Sequence, residues 1–155
     1  MFSANSRSAL NSYRKVGVET GVASASPQRL ILMLYEGAIA AVAAAQQHLR
    51  LKNIAAKGEA ISKAISIIDG GLKASLDLNV GGELALNLSQ LYVYMGHRLL
   101  HANIKNDPAA LEEVRQLLQQ LMSAWESLAA STAATAAQPS AAPQPHRAAT
   151  SYGNI

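Results

Sequence analysis

Residues 81–106, GGELALNLSQLYVYMGHRLLHANIKN, carry two apolar stripes on opposite sides of one predicted helix. At 3.6 residues per turn, one side collects Leu84, Leu88, Leu91, Met95, Leu99 and Ala102. The other side, roughly 180° away on the helical wheel, collects Leu86, Val93, Leu100 and Ile104. A helix at the surface of a small soluble bundle needs only one apolar face. The second stripe therefore needs a partner, either elsewhere in this chain or in another protein.

The composition favours an all-α fold. The chain has 155 residues, which suits one domain, and it is 50% hydrophobic but only 5% aromatic. Alanine and leucine dominate and are the best helix formers, whereas strands favour β-branched and aromatic residues. Short predicted loops join the helices, which is typical of antiparallel neighbours. We therefore predict an antiparallel up-down four-helix bundle.

Two Xaa-Pro signals and one glycine-containing turn divide the chain. Ser26-Pro27 and Asp107-Pro108 each combine an N-cap residue with proline at the first helical position. The predicted helices run from Ser26-Pro27 to about residue 52, over about 54–76, from the end of the turn at 79–82 to 106, and over about 108–130. Residues 1–25 form a mostly polar N-terminal arm, residues 26–130 the bundle, and residues 131–155 an Ala/Pro-rich tail that we expect to be disordered.

The first three predicted helices have more apolar surface than four helices can bury. The first is apolar all round over 30–45, broken only by Glu36, and we expect it to be central. The second combines an isoleucine seam with a row of small residues, and Gly70-Gly71 predicts a local bend. The fourth has one apolar face, formed by Leu111, Val114, Leu118, Leu121, Trp125 and Leu128. Monomers rarely leave large apolar patches bare, so part of this surplus is expected to bind another chain.

Several functions find little support in the residues. The chain has no cysteine, no phosphate-binding glycine loop and no paired buried carboxylates, which argues against an enzyme and against a cofactor. His97 and His101 have i, i+4 spacing but lack a third ligand, so no metal site is expected. The net charge of +3 is scattered, which argues against nucleic-acid binding. No signal peptide is visible, and the apolar segment 30–45 is shorter than a membrane span, so we expect no membrane insertion and a cytoplasmic location.

Aromatic residues are ambiguous, because they serve both cores and interfaces. Core packing is the default for Trp125 and for Tyr35, Tyr92 and Tyr94, although the three tyrosines could also border a groove. Tyr13 differs, because it lies in a polar arm with no local helix to pack on. It can dock on the bundle or on a partner.

A resemblance to a known family emerges from a set of short motifs. They are Tyr13-x-x-Val16, Glu19-Thr20, Ala25-Ser26-Pro27, Leu30-Ile31-x-Met33-Leu34-Tyr35-Glu36-Gly37-Ala38, Asn103 and Asn106-Asp107. Together they closely resemble the flagellin export chaperone family FliS over about residues 10–130. The tail departs from the compact family pattern, and nothing is carried over to it.

The resemblance implies a cytoplasmic helical bundle that binds the C-terminal segment of flagellin and prevents its premature polymerisation. It also implies an N-terminal arm that covers part of the client surface and moves aside. The family's arm tyrosine, matched by Tyr13, is associated with presenting the complex to the export gate protein FlhA. The free protein is then expected to be a monomer or weak dimer.

Our predicted partner-binding residues come from the helical wheel and from the arm. They are Tyr13, Val16, Ala64, Ile67, Leu86, Val93, Leu100 and Ile104. The alternative is a self-associating structural bundle whose stripes form a homodimer seam. The sequence alone does not decide which apolar residues form the core and which contact a client.

Overall fold

The computed structural model describes residues 25–136, with side chains up to residue 132. Tyr13, Val16, the rest of the predicted arm up to residue 24, and the tail from 137 lie outside the described residues. The described part consists of four helices, with a π-helical segment Ile68–Lys73 that continues the second one. They are α1 (Pro27–Arg50), α2 (Ile54–Ile67), α3 (Leu78–Lys105) and α4 (Pro108–Ala136). This confirms the predicted all-α antiparallel bundle.

The chain divides into two compact units between Met122 and Ser123. The first unit contains α1, α2, α3 and the part of α4 up to Met122. The second contains the rest of α4, in which Trp125 is half-buried and Leu128 is 59% exposed. Leu128 therefore does not extend the buried face of α4 as predicted. The helix itself continues to Ala136, past the helix end predicted at about residue 130.

Helix α1 begins where the sequence predicts it. The Ser26 side chain accepts a hydrogen bond of 3.1 Å from the Arg29 backbone N–H, and Pro27 occupies the first turn. Helix α1 packs most extensively against α2, which follows after a short loop at 51–53. Ala40 and Ala43 are exposed, so α1 is not enveloped on all sides as expected. Small alanine side chains can face water at little cost, which is why the apolar pattern overstated burial.

Helix α1 also has a length and composition that would allow it to cross a membrane. It is the one such helix among the described residues. A core helix of a water-soluble bundle meets the same criteria, and α1 directs Leu34, Ala38 and Val42 into the protein interior.

The bend predicted at Gly70-Gly71 appears as the π-helical segment. Glycine is a poor helix former, which makes this point easy to widen. The wider turn brings two pairs of consecutive residues to the inside of the bundle. Ile67 and Ile68 are both buried, and so are Gly71 and Leu72. The segment lies against both α1 and α3.

Helix α3 contains a break near its start. Asp77 caps the first turn by accepting hydrogen bonds from the backbone N–H groups of Asn79 and Val80 at 3.0 and 3.2 Å. Gly82 then adopts φ 55° and ψ −130°, which is non-helical and favours glycine. The predicted turn at 79–82 is thus present as one helical turn followed by a break. The regular part of α3 begins after Gly82.

The core lies between the inward faces of the helices. From α4 it receives Leu111, Val114 and Leu118, all of them fully buried as predicted. From α3 it receives Met95, Leu99 and Ala102, which confirms the burial predicted for this part of the first stripe. Leu84 was placed on the same stripe but is 68% exposed. It follows directly after the Gly82 break, where the helix has only begun.

Candidate protein-binding site

The second stripe of α3 is exposed along its whole length. Leu86, Val93, Leu100 and Ile104 have 48%, 39%, 49% and 73% of their surface accessible. They lie opposite the buried Met95 and Leu99, as the wheel predicts. We call these four residues the α3 stripe. Large aliphatic side chains aligned on one helix face are typical of a surface that takes up another protein segment.

The two predicted contact residues on α2 lie below the surface. Ala64 is 0% exposed and Ile67 is 6% exposed. The Ile67 Cδ1 atom is 3.4 Å from the position that a Cβ on Gly37 would occupy, so Ile67 packs against α1. Ile67 therefore fills the space beside Gly37, and Ala64 is enclosed within the bundle. Buried side chains cannot touch a partner unless their neighbours move, and the exposed stripe does not include them.

A buried lysine fixes the end of α3, and sequence reasoning missed it. Lys57 is 1% exposed. Its Nζ donates a hydrogen bond of 2.9 Å to the backbone carbonyl of Asn103 and a second one to Oδ1 of Asn106. Asn106 ends α3 in the left-handed conformation, with φ 53° and ψ 48°. The last carbonyls of a helix lack intrahelical donors and carry partial negative charge, which an ammonium group satisfies.

This arrangement gives a structural reason for Asn106 of the quoted motifs, whose side chain accepts from Lys57, whereas Asn103 contributes its backbone carbonyl. The Asn103 and Asn106 oxygens hold Lys57, and the next residue, Asp107, starts α4 by accepting a hydrogen bond of 3.0 Å from the Ala109 N–H. Asp107 also lies 3.3 Å from Nε2 of His101. The sequence does indicate the burial of Lys57, because Lys57 lies one turn before Ile61 on the apolar arc of α2.

The side of the α3 stripe that faces α4 is polar. Arg98 Nε donates a hydrogen bond of 2.7 Å to Glu113 Oε1, and the hydroxyl of Tyr94 donates to the other carboxylate oxygen. These contacts, the tyrosine first and the arginine second, lower the pKa of Glu113. The carboxylate in turn raises the pKa of Tyr94. Tyr94 is 42% exposed, so it borders the surface rather than the core.

Two other tyrosines form a buried pair. The hydroxyl oxygens of Tyr35 on α1 and Tyr92 on α3 are 2.5 Å apart and share a hydrogen bond. The two residues are each 4% exposed, which agrees with core packing as the default. Burial raises the pKa of both phenols, because the charged form would be poorly solvated. Each hydroxyl is the hydrogen-bond partner of the other inside the bundle.

A further polar cluster joins α4 to α1. Glu112 accepts hydrogen bonds from Arg115, at 2.9 and 2.5 Å, and from Gln46 of α1 at 2.8 Å. Gln116 donates a fourth hydrogen bond, of 2.9 Å. The contacts with Arg115, Gln46 and Gln116 lower the pKa of Glu112 to about 2. These contacts pack α4 against α1 and pair opposite charges, and they indicate no catalytic role for Glu112.

Metal-binding clusters are absent from residues 25–136, where no group of three or more His, Asp or Glu side chains converges. His97 is exposed, and its neighbour His101 pairs with Asp107. The candidate site is therefore the α3 stripe, whose aligned apolar side chains can bind a protein segment.

Comparison with known proteins gives a consistent result. A family model described as "Flagellar protein FliS" matches residues 9–132. The flagellar secretion chaperone FliS of Salmonella typhimurium is 52% identical over 121 residues, covering 78% of this chain and 90% of that protein. The FliS of Escherichia coli is 45% identical over 114 residues (74% and 84%), and FliSB of Pseudomonas aeruginosa is 43% identical over 120 residues (77% and 94%). FliS proteins are chaperones and not enzymes. The chain therefore belongs to the FliS family of flagellar secretion chaperones.

Proposed function

We propose that this chaperone binds the C-terminal segment of flagellin on the α3 stripe. Bound in this way, flagellin cannot polymerise before export and can be delivered to the type III export gate. The observation that carries the proposal is the exposure of Leu86, Val93, Leu100 and Ile104 on one face of α3. Family membership supports a role in flagellar secretion.

The physical mechanism is folding of the client on the chaperone surface. A flagellin segment that is unfolded when free would order an apolar face against the stripe. Full burial of a large aliphatic side chain contributes about 1.5–3 kcal/mol, so four half-exposed residues contribute on the order of 4 kcal/mol. Ordering a disordered segment costs about 2–5 kcal/mol. The stripe alone roughly offsets the ordering, so the client needs contacts beyond it.

The N-terminal arm is the proposed source of part of this additional surface. We propose that Tyr13 and Val16 contact the client or its export machinery, with Tyr13 presenting the loaded complex to FlhA. The buried residues Ala64 and Ile67 are not included. We further propose that the protein is cytoplasmic and neither inserts into membranes nor binds nucleic acid. When free, it is a monomer or weak dimer.

A pull-down with two forms of flagellin tests the proposal. Immobilised chaperone should capture monomeric full-length flagellin and should fail to capture flagellin that lacks its C-terminal segment. Equal capture of both forms would contradict the proposed mode of binding. Light scattering of the free chaperone distinguishes the self-association alternative, because a tight homodimer that hides the stripe would also contradict the proposal.

A further inference from the structure

A gap in the side-chain surface borders the α3 stripe at Gly96. Gly96 lies one turn after Val93 and one turn before Leu100, so it is a surface neighbour of both. Among the described residues, no atom outside the local helix backbone lies within 4 Å of the position that its Cβ would occupy. The stripe is therefore interrupted on one side by open space.

The gap opens toward α2. Asn103, two turns after Gly96 on the same face of α3, approaches α2, with its Oδ1 3.7 Å from the position of a Cβ on Gly58. Gly96 therefore lies on the side of α3 that faces α2. We call the gap at Gly96, which is flanked by Val93 and Leu100, the notch.

The fold itself gives no reason for glycine at this position. At Gly37 a Cβ would contact Ile67 at 3.4 Å, and at Gly81 it would lie only 2.6 Å from the Ala85 Cβ. At Gly96 a Cβ would meet no such neighbour, and the backbone is in regular helix. Glycine disfavours a helix relative to alanine, so its presence here weakens α3 without improving the packing of the described residues.

We propose that Gly96 determines client specificity by leaving this notch free for one large apolar side chain of the bound flagellin segment. The inference rests on the proposed function, since it takes the α3 stripe as the client site. The missing side chain lets the client backbone approach α3 closely, and it lets the inserted side chain contact Val93 and Leu100. A client with a small or polar residue at that point would bind less well.

Two substitutions at Gly96 and one control test the inference by calorimetric titration with monomeric flagellin. Gly96→Leu fills the notch and should weaken binding by about tenfold or more, since the inserted client side chain loses its burial. Gly96→Ala fills it partly and should weaken binding less. Gly70→Ala is the control, because Gly70 is exposed, has equally open space and lies off the stripe. It should leave flagellin affinity unchanged.

Thermal unfolding of the same variants separates binding from folding. Gly96→Ala should unfold at the wild-type temperature or above, because alanine favours the helix. Weaker binding by a variant of undiminished stability supports the notch. If Gly96→Leu fails to fold, Gly96→Ala decides the result. Wild-type affinity in the folded variant would overturn the inference.

A Val93→Asp, Leu100→Asp variant distinguishes this inference from the proposed function. If the double variant loses binding while Gly96→Leu retains it, the stripe is used but the notch is not. If the double variant also binds normally, both the proposed function and the inference are wrong.

Discussion

Lys57 donates a hydrogen bond from its ammonium group to the backbone carbonyl of Asn103, joining the first turns of α2 to the last turn of α3. The N···O distance is 2.9 Å, and the same ammonium also contacts the Asn106 side chain. The stripe residues Leu100 and Ile104 lie on this last part of α3. The contact therefore holds the C-terminal end of the candidate site in place.

Lys57→Met should destabilise the protein. The substitution keeps much of the buried aliphatic volume but leaves the Asn103 carbonyl and the Asn106 side chain without their donor. Loss of a buried hydrogen-bond partner costs about 1–3 kcal/mol. Urea unfolding followed by circular dichroism measures the change. Lys63→Met, an exposed lysine of the same helix, is the matched control and should change the free energy of unfolding by less than about 0.5 kcal/mol.

The Tyr35–Tyr92 pair predicts non-additive mutational effects. Removing one hydroxyl, as in Tyr35→Phe or Tyr92→Phe, leaves the other buried and unpaired, at a cost of about 1–3 kcal/mol. The double Phe variant removes both polar groups and should be less destabilised than the sum of the single variants. Chemical unfolding of all four proteins gives the coupling energy. Simple additivity would show that the hydroxyl contact has no energetic importance.

The same pair predicts a pH dependence at the alkaline end. The folded-state pKa of each phenol is raised above its usual value of 10. The unfolded chain therefore loses these protons first, and the stabilisation, complete below pH 10, declines as the pH rises above it. The double Phe variant should lose stability less steeply between about pH 10 and 11 than the wild type does. Parallel stability curves would contradict this assignment.

Charges introduced on the α3 stripe should abolish flagellin binding without unfolding the bundle. Val93→Asp with Leu100→Asp places carboxylates where an apolar client face would lie, and burying an unpaired charge is strongly unfavourable. Leu78→Asp is a matched control, because Leu78 is 51% exposed against 49% for Leu100 and lies before the Gly82 break. The control should bind normally. Helicity by circular dichroism should be the same in all three proteins.

A side chain at Gly82 should destabilise the protein. Its φ of 55° with ψ of −130° is a conformation that L residues rarely adopt. We expect Gly82→Ala to destabilise the protein by about 1–3 kcal/mol in urea unfolding. Gly70→Ala adds the same methyl group in open space within a helical segment and should not destabilise the protein. Equal stabilities would mean that the break at Gly82 has no steric requirement for glycine.

The wheel of α3 was the most informative pattern, and its limits are physical. It separated buried Met95 and Leu99 from exposed Val93 and Leu100, because a regular helix keeps one phase for many turns. It placed Leu84 wrongly, because periodicity does not show that the regular helix begins only after the Gly82 break. The long-range partner of a residue such as Tyr35 is equally invisible to local periodicity.

On α2 the pattern revealed less about the site. A row of small residues can mean either a groove or a close helix contact. In the structure Ala64 is buried, and Ile67 packs beside Gly37 of α1. Lys57 was missed because lysine is almost always placed in solvent. Its burial depends on the end of α3, which lies far along the chain. The helical wheel does not point to Gly96, because it shows where side chains lie and not where a side chain is missing.

The bare aliphatic face of α3 has a consequence for abundance. While no client is bound, the apolar α3 stripe of each copy is accessible to other copies and to unrelated proteins. At high concentration, copies without a client would therefore tend to associate beyond the weak dimer. A cell making this protein has reason to match its production to that of the cargo.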